Sequence, residues 1–243
     1  MAMLTLVLPL AVLLLPPSFG VYTEVPFESV STDIPEVQQS IIDITNDFRR
    51  NVDPPAKNMQ RMEWNEAIAD QLKEWVQTCT FNHSTSSERI FNGSACGENL
   101  VMSPYPVSWE TIQTIVYNES HFFDYGVGPV PANETVTHYT QLVWYSSFLM
   151  AAAVAYCPNS TTIYKYLYAT RNWPRGNLSN KINKPYLSGT QCGDCTQYCN
   201  NGLCTNPCWH IDRAQGCEGY VSMCNSYNVV QANCPETCKC PPN

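Results

Sequence analysis

Apolar residues recur every three or four positions in three segments of the first half of the chain, residues 35–50, 64–79 and 107–123. The recurring positions are Val37, Ile41, Ile44 and Phe48 in the first segment, Ile68, Leu72 and Val76 in the second, and Trp109, Ile112, Val116 and Phe123 in the third. This spacing puts the apolar side chains on one side of a helix and therefore predicts three amphipathic helices.

The later part of the first 170 residues has a different pattern. Three short runs, residues 140–144, 151–156 and 163–170, are compact and apolar, and the last is rich in β-branched and aromatic residues. Such runs predict strands. Helices that come first and strands that come later predict an α+β fold, not a parallel sheet built from alternating strands and helices.

The cysteines divide the chain into two parts. Ten of the 13 lie between Cys192 and Cys240, a stretch too short to bury a sufficient apolar core without disulfides. The preceding region, residues 36–178, is long enough for a conventional core, and residues 179–191 form a polar linker between the two. Because 13 is an odd number, one cysteine is expected to lack an intramolecular partner.

Several features indicate the secretory pathway. Residues 1–20 carry no charge, have an apolar centre at 4–15 and end in small residues, which predicts a cleaved signal peptide; an uncleaved anchor is the alternative. The many cysteines favour an oxidising compartment. Six glycosylation sequons agree: Asn82, Asn92, Asn118, Asn133, Asn159 and Asn177. The net charge of −8 argues against nucleic acid, and no later segment is long enough to span a membrane.

Four polar residues are candidates for a shared site: His83, Glu98, Glu119 and His138. Their spacing does not bring them together, so four separate solvated side chains remain the alternative to a joint site. If the fold assembles them, two imidazoles with two carboxylates nearby could hold Zn²⁺. No hydroxyl or thiol is visibly paired with a base and no HExxH spacing exists, so binding is favoured over hydrolysis.

Four short motifs then identify a family. Trp64-Asn-Glu-Ala67, Cys96-Gly-Glu-Asn-Leu100, His138-Tyr-Thr-Gln-Leu-Val-Trp144 and Pro174-Arg-Gly-Asn177 resemble the signatures of the CAP superfamily. With its ten-cysteine tail, the chain resembles the cysteine-rich secretory proteins. The resemblance implies an α-β-α sandwich over residues 36–178, a cysteine-rich hinge over 192–207 and a module similar to the ShK toxin fold over 208–240.

The same resemblance implies what the first domain holds. Its cleft gathers His83, Glu98, Glu119 and His138 into a divalent-metal site, with the histidines as direct Zn²⁺ ligands and no need for the metal in folding. A zinc-dependent hydrolase, with Glu98 or Glu119 as its base, is the alternative function for this cleft. Glycosaminoglycan and sterol are its alternative ligands.

The resemblance also implies the disulfide pairing. Relatives have six cysteines in the first domain, but this chain has Ala152, Thr170 and Trp173 at three of those positions. Cys96 thereby loses its partner and becomes the predicted free thiol, either buried and inert or reactive. The implied pairs are Cys79–Cys157, Cys192–Cys199, Cys195–Cys204, Cys208–Cys240, Cys217–Cys234 and Cys224–Cys238. A zinc ribbon is the competing interpretation of the hinge cysteines, which an oxidising compartment disfavours.

Function follows from the tail in this interpretation. Many relatives modulate ion channels, so the resemblance implies a secreted, non-enzymatic protein that binds a channel or a cell-surface receptor, in sperm maturation, fertilisation or venom. The tail is slightly acidic, which argues against a lysine that plugs a channel pore. Exposed Trp209, Tyr220 and Tyr227 are the alternative contacts.

Overall fold

A computed structural model describes residues 22–214 and 216–240, so the predicted signal peptide lies outside the described residues. The α-helices are α1 (Pro35–Arg50), α2 (Glu66–Val76), α3 (Trp109–Tyr117), α4 (Thr137–Leu142), α5 (Asn228–Asn233) and α6 (Pro235–Lys239). The strands are β1 (Glu63–Trp64), β2 (Ile90–Phe91), β3 (Ser94–Ala95), β4 (Gly97–Ser103), β5 (Phe123–Asp124), β6 (Gly128–Pro129), β7 (Leu149–Tyr156), β8 (Tyr166–Trp173), β9 (Cys199–Asn200) and β10 (Leu203–Cys204). Short 3₁₀ helices connect several of them.

The main sheet has four strands in the order β1-β7-β8-β4. β8 is antiparallel to both of its neighbours, and the short β1 runs parallel to β7. Helix α2 packs on one face through Leu72 and Trp75. Helices α1 and α3 pack on the other face through Ile41 and Ile112. The α+β class and the α-β-α sandwich are therefore confirmed.

β7 and β8 are buried along almost their whole length because helices cover both faces of the sheet. The run of alanines from Ala151 to Ala153 lies at the centre of β7 and is fully buried. Small side chains there leave room for α2 on one face and α1 on the other. The sequence of β7 is therefore a continuous apolar run without alternation, whereas β8 also buries the polar residues Thr170, Arg171 and Asn172.

Local signals explain where the helices start. The side chain of Asn65 accepts the backbone N–H of Ile68 at the start of α2, and Ser108 accepts that of Thr111 at the start of α3. Helix α1 begins at Pro35, which has no N–H to leave unpaired.

The prediction of a strand at residues 140–144 was wrong, since residues 137–142 form α4. All five residues of the predicted strand are buried, so no alternation of polar and apolar positions distinguishes helix from strand. The third predicted helix ends at Tyr117 and continues as a 3₁₀ helix to Phe122. β4 was not predicted because its sequence begins with polar residues.

The cysteine-rich hinge is attached to the first domain by backbone hydrogen bonds. Cys204 donates its N–H to the carbonyl of Met59 and accepts the N–H of Arg61, both at 2.8 Å. Leu203 lies in the main hydrophobic core. Further along, the Trp209 ring lies 4.9 Å from that of Phe148, centroid to centroid. The hinge and the start of the last module therefore share packing with the sandwich.

Arg49 is fully buried and has no carboxylate partner in the part of the chain that the structure describes. Its guanidinium donates all five N–H groups to backbone carbonyls. These acceptors lie in two segments and belong to Gln60, Leu142, Trp144, Tyr145 and Ser147. Burial lowers the pKa of Arg49 to about 9, which leaves the group charged at neutral pH. One side chain of α1 thus holds both the segment before β1 and the connection from α4 to β7.

Among the described residues, no helix has the length and hydropathy that crossing a membrane requires.

Candidate functional site

His83 and Glu98 form the first of two histidine–carboxylate pairs. Glu98 is the second residue of β4, and His83 lies in the loop after α2, which the Cys79–Cys157 disulfide fastens to the end of β7. Nδ1 of His83 lies 3.0 Å from Oε1 of Glu98. The Glu98 side chain is 1% exposed and that of His83 is 56% exposed, so only the imidazole is open to solvent.

Glu98 also has a buried cation beside it. The β4–β8 register places Glu98 directly opposite Arg171, whose Nε donates to Oε2 at 3.1 Å. Ser84 donates its N–H at 2.9 Å and its hydroxyl at 2.7 Å. Burial raises the pKa of Glu98, but the donors His83 and Ser84 and the charge of Arg171 outweigh it and lower the pKa to about 2. Glu98 is therefore a carboxylate at neutral pH and a weak base.

Glu119 and His138 form the second pair. Glu119 lies in the 3₁₀ helix Asn118–Phe122 and is buried. Its Oε1 is 2.6 Å from Nδ1 of His138, and its Oε2 accepts the backbone N–H groups of His138 and Tyr139, both at 3.0 Å. Glu119 thus orients the His138 ring and satisfies the free N–H groups at the start of α4. No cation pairs with it among the described residues.

Asn99 connects the two pairs. It follows Glu98 in β4, and its Nδ2 donates to the carbonyl oxygen of His138 at 3.0 Å. Behind it, a Cβ on Gly97 would lie 1.9 Å from Oε1 of Gln141, so only glycine fits there. The same Gln141 oxygen accepts the N–H of Gly176 at 2.9 Å. Three of the four sequence motifs therefore meet around one glutamine side chain.

Asn177 completes this junction. Its Oδ1 accepts the Thr140 hydroxyl at 2.7 Å, and its Nδ2 donates to the Thr137 carbonyl at 2.8 Å, which fixes the start of α4. Both atoms of this sequon carboxamide are thus engaged. Asn118 is half-buried. The other four sequon asparagines are exposed: Asn82, Asn92, Asn133 and Asn159.

The two pairs leave a specific set of donor atoms. In each pair a carboxylate accepts from Nδ1, so Nε2 of His83 and Nε2 of His138 are the nitrogens left for a ligand. The ligand atoms of three or more of these four residues do not lie within 4.8 Å of one another. These donors fit a divalent cation held by imidazole nitrogens and water, with the glutamates orienting the rings.

Asp212, Cys217 and Cys234 are the one group in residues 22–214 and 216–240 that meets this distance criterion. Cys217 and Cys234 are joined in a disulfide, which removes both thiolates as ligands. Asp212 already accepts the hydroxyl and the N–H of Thr237. These three residues therefore form a disulfide crosslink beside a hydrogen-bonded carboxylate, and this chemistry does not suit a metal ion.

A hydrolytic mechanism would need a nucleophile and a base. The Ser84 hydroxyl lies beside the first pair, but it donates to Glu98, whose lowered pKa makes the carboxylate a poor proton acceptor. Arg171 donates to the same hydroxyl oxygen at 3.1 Å. These contacts are those of a buried ion-pair network, which positions His83.

Six disulfides are present, and each joins a pair that the resemblance implies: Cys79–Cys157, Cys192–Cys199, Cys195–Cys204, Cys208–Cys240, Cys217–Cys234 and Cys224–Cys238. Ala152 and Thr170, which replace one bridge of the relatives, are direct cross-strand neighbours in β7 and β8. Cys96 is unpaired and buried, in one apolar cluster with Trp173. Burial raises the pKa of the Cys96 thiol to about 12, which favours the inert interpretation.

Sequence reasoning missed Arg171, Ser84 and Gln141, which hold the site together. A usable signal existed for Arg171, since it is a charged residue between the predicted strand at residues 163–170 and the aromatic Trp173. A charge at such a position is buried and needs a partner. The partner itself follows only from the strand register.

Comparison with known proteins agrees with this architecture. A model of the Cysteine-rich secretory protein family (CAP) matches residues 42–170, and a second model, described as Crisp, matches residues 192–243.

Several solved structures are similar to the chain. Na-ASP-1 has a TM-score of 0.59 at 20% identity, over 77% of this chain and 52% of its own. NaASP2, determined with Zn²⁺, has a TM-score of 0.55 at 22% identity, over 71% of this chain and 96% of its own. Schistosoma mansoni venom allergen-like protein 4 has a TM-score of 0.52 at 19% identity, over 63% and 94%. At such identities the likeness shows the fold. The chain spans about half the length of Na-ASP-1.

Substituting Glu98 by glutamine tests the buried network. The pKa falls from the ordinary 4.5 to about 2, so the ionised form stabilises the fold by roughly 3 kcal/mol. This contribution is fully present above pH 4.5 and is lost as pH falls through about 2. The free energy of unfolding of the wild type, from urea titrations, should therefore fall by roughly 3 kcal/mol more than that of Glu98→Gln between pH 5 and 2.

The matched control is Glu74→Gln, which changes an exposed glutamate on α2. The free energy of unfolding of Glu74→Gln should change with pH in the same way as that of the wild type. If the free energy of unfolding of Glu98→Gln also changed with pH as that of the wild type does, Glu98 would not have a lowered pKa in the folded chain.

Proposed function

The chain belongs to the cysteine-rich secretory protein family, and from this premise we propose that it is a secreted, non-enzymatic binding protein. Its C-terminal module provides the main contact surface. The six disulfides support secretion, because such bonds persist in oxidising compartments. Glycans on the exposed sequon asparagines belong to the same proposal. Family members generally bind proteins or small ligands without catalysis, in accord with the weak basicity of Glu98.

One observation carries the assignment to the module. Within ten residues it exposes five large hydrophobic side chains, each between 41% and 64% exposed: Tyr220, Val221, Met223, Tyr227 and Val229. A module this small, crosslinked by three disulfides, holds such side chains in place at little further entropic cost. Rigid aromatic side chains exposed in this way are typical anchors of protein interfaces.

Trp209 has a different role from the two tyrosines. Its ring packs on Phe148 and lies 5.8 Å from the Trp173 ring, centroid to centroid, so it joins the module to the sandwich. Tyr220 and Tyr227 have no such aromatic contact among the described residues. The proposed contact surface is therefore the face that carries Tyr220 and Tyr227.

The proposed partner is an ion channel, and a cell-surface receptor is the alternative. The module's Arg213 and Lys239 are outnumbered by its acidic residues Asp212, Glu218 and Glu236. This balance disfavours a cation in the pore and favours apolar contact with an extracellular channel surface. The family resemblance implies the physiological settings of this proposal, which are sperm maturation, fertilisation or venom.

The direct test compares the full secreted chain with the double variant Tyr220→Ser/Tyr227→Ser. Each protein is applied to cells expressing a voltage-gated or a cyclic-nucleotide-gated channel, or to calcium-release channels reconstituted in a planar bilayer, and the current is recorded. We expect the wild type to reduce at least one current and the double variant to be about tenfold less potent, a loss of roughly 1.4 kcal/mol.

The control is Tyr198→Ser, which removes an equally exposed tyrosine from the hinge and should retain potency. The proposal fails if no channel class responds, or if the double variant is as potent as the wild type.

Divalent-metal binding in the first-domain cleft is a second candidate function. The free Nε2 atoms of His83 and His138 favour it, and the NaASP2 structure determined with Zn²⁺ supports it by similarity. A bound metal would supply Lewis-acid chemistry or a bridge to an anionic ligand. No contact of the described residues singles out glycosaminoglycan or sterol as that ligand.

Calorimetric titration of the full chain with Zn²⁺ tests this candidate. We expect one site whose affinity falls at least about tenfold in His83→Ala/His138→Ala. His210→Ala, in the last module, should leave the affinity unchanged. Equal affinity in all three proteins would contradict the assignment.

A further inference from the structure

A cleft of about 450 Å³ separates helix α1 from the hairpin β9–β10 of the hinge. None of its lining residues belongs to the two histidine–glutamate pairs or to the exposed face of the last module. Its volume lies in the range of small-ligand sites in proteins. The cleft is therefore a separate candidate site, and its two walls come from different parts of the chain.

The walls are fixed before any ligand binds. Nε of Arg50 donates to the carbonyl of Asn201 at the tip of the hairpin, at 2.7 Å. The disulfides Cys192–Cys199 and Cys195–Cys204 hold the hairpin. Little conformational entropy would be lost in these walls when a ligand binds. A small site generally needs such preorganisation to reach appreciable affinity.

The floor of the cleft is buried. Leu203 is 1% exposed and Asn46 is 4% exposed. The Asn46 carboxamide is already paired with the backbone N–H and carbonyl of Met62, so it adds rigidity and no free donor. Recognition is left to the side chains on the rims.

The rims carry opposite charges. Asp43 lies on the α1 rim, and its only hydrogen bond among the described residues comes from Gln39 at 2.9 Å. Arg61 also lines the cleft, in the segment whose backbone pairs with Cys204 of β10, and has no acidic partner within 4.0 Å in residues 22–214 and 216–240. The remaining charged pair, Arg50 with Asp47 at 2.5 Å, neutralises itself. One free anion and one free cation thus face the same space.

We propose that this cleft binds a short zwitterionic peptide, with its ammonium group at Asp43 and its carboxylate at Arg61. The cleft follows α1 from residue 43 to residue 50, which is about 10 Å at 1.5 Å per residue. This length gives room for an extended peptide of about three residues. The exposed carboxamides of Asn200 and Asn201, which form no hydrogen bond within the described residues, can pair with the peptide backbone between its two ends. Arginine suits the carboxylate because its fork of donors matches two oxygens.

Triglycine is the probe, because it has both charged ends and no side chains. Binding to the full mature chain is measured by NMR chemical-shift titration, together with N-acetyl-triglycine and triglycine amide. We expect saturable binding of triglycine, weakened about tenfold by Asp43→Asn or Arg61→Gln, a loss of roughly 1.4 kcal/mol for each charge contact. Arg175→Gln, an exposed change away from the cleft, should leave the affinity unchanged.

The modified peptides determine the orientation. Removal of the ammonium by acetylation should make affinity insensitive to Asp43→Asn, and removal of the carboxylate by amidation should make it insensitive to Arg61→Gln. The proposal is overturned if triglycine does not saturate, or if its affinity is the same in Asp43→Asn, Arg61→Gln and Arg175→Gln. Thermal unfolding of each variant, unchanged within error, excludes loss of the fold as the cause.

Discussion

The arrangement of this chain depends on one buried guanidinium. Arg49 reaches from α1 into the buried interior, where no carboxylate of the described residues lies within 4.0 Å, and backbone carbonyl dipoles stabilise its charge. A buried charge is costly unless every donor is satisfied, and here all five are. The carbonyl of Gln60 lies in the segment that binds the hinge, and that of Leu142 ends α4. Arg49 thereby connects α4, which carries His138, to the segment that binds the hinge.

The two histidine–glutamate pairs look alike in sequence but differ physically. Glu98 is neutralised by the buried Arg171 across the sheet, whereas Glu119 is held by backbone N–H groups at the start of α4. Both glutamates are used to orient rings, and neither is free to act as a strong base. The site is therefore better suited to holding a ligand through His83 and His138 than to proton transfer. The proposed functions are both binding functions, one at the two histidine–glutamate pairs and one on the exposed face of the last module.

The sequence predicts several of the helices and some of the site residues, but it does not predict the contacts between distant segments. Periodicity gave α1 and α2 because each has one apolar side, and the motifs pointed to Glu98 and His138. Periodicity failed at α4, whose residues from Tyr139 to Leu142 are all buried. Periodicity also could not predict the hydrogen bonds of Arg49 or the contact of Glu98 with Arg171. These contacts depend on which backbone segments and strands become neighbours. The local pattern of apolar and polar residues predicts a helix or strand when one face of that element is exposed to solvent. It cannot predict contacts between residues that are distant in sequence.

The most direct test of this account is the free energy of unfolding of Arg49→Met, compared with that of Arg175→Met at an exposed position. Methionine keeps much of the buried volume but leaves the carbonyls of Gln60, Leu142 and Ser147 without donors among the described residues, whereas those of Trp144 and Tyr145 keep a backbone donor. Each unsatisfied buried acceptor costs about 1–3 kcal/mol. The account predicts a loss of at least about 3 kcal/mol for Arg49→Met and less than about 0.5 kcal/mol for Arg175→Met. Equal, small losses for both variants would contradict it.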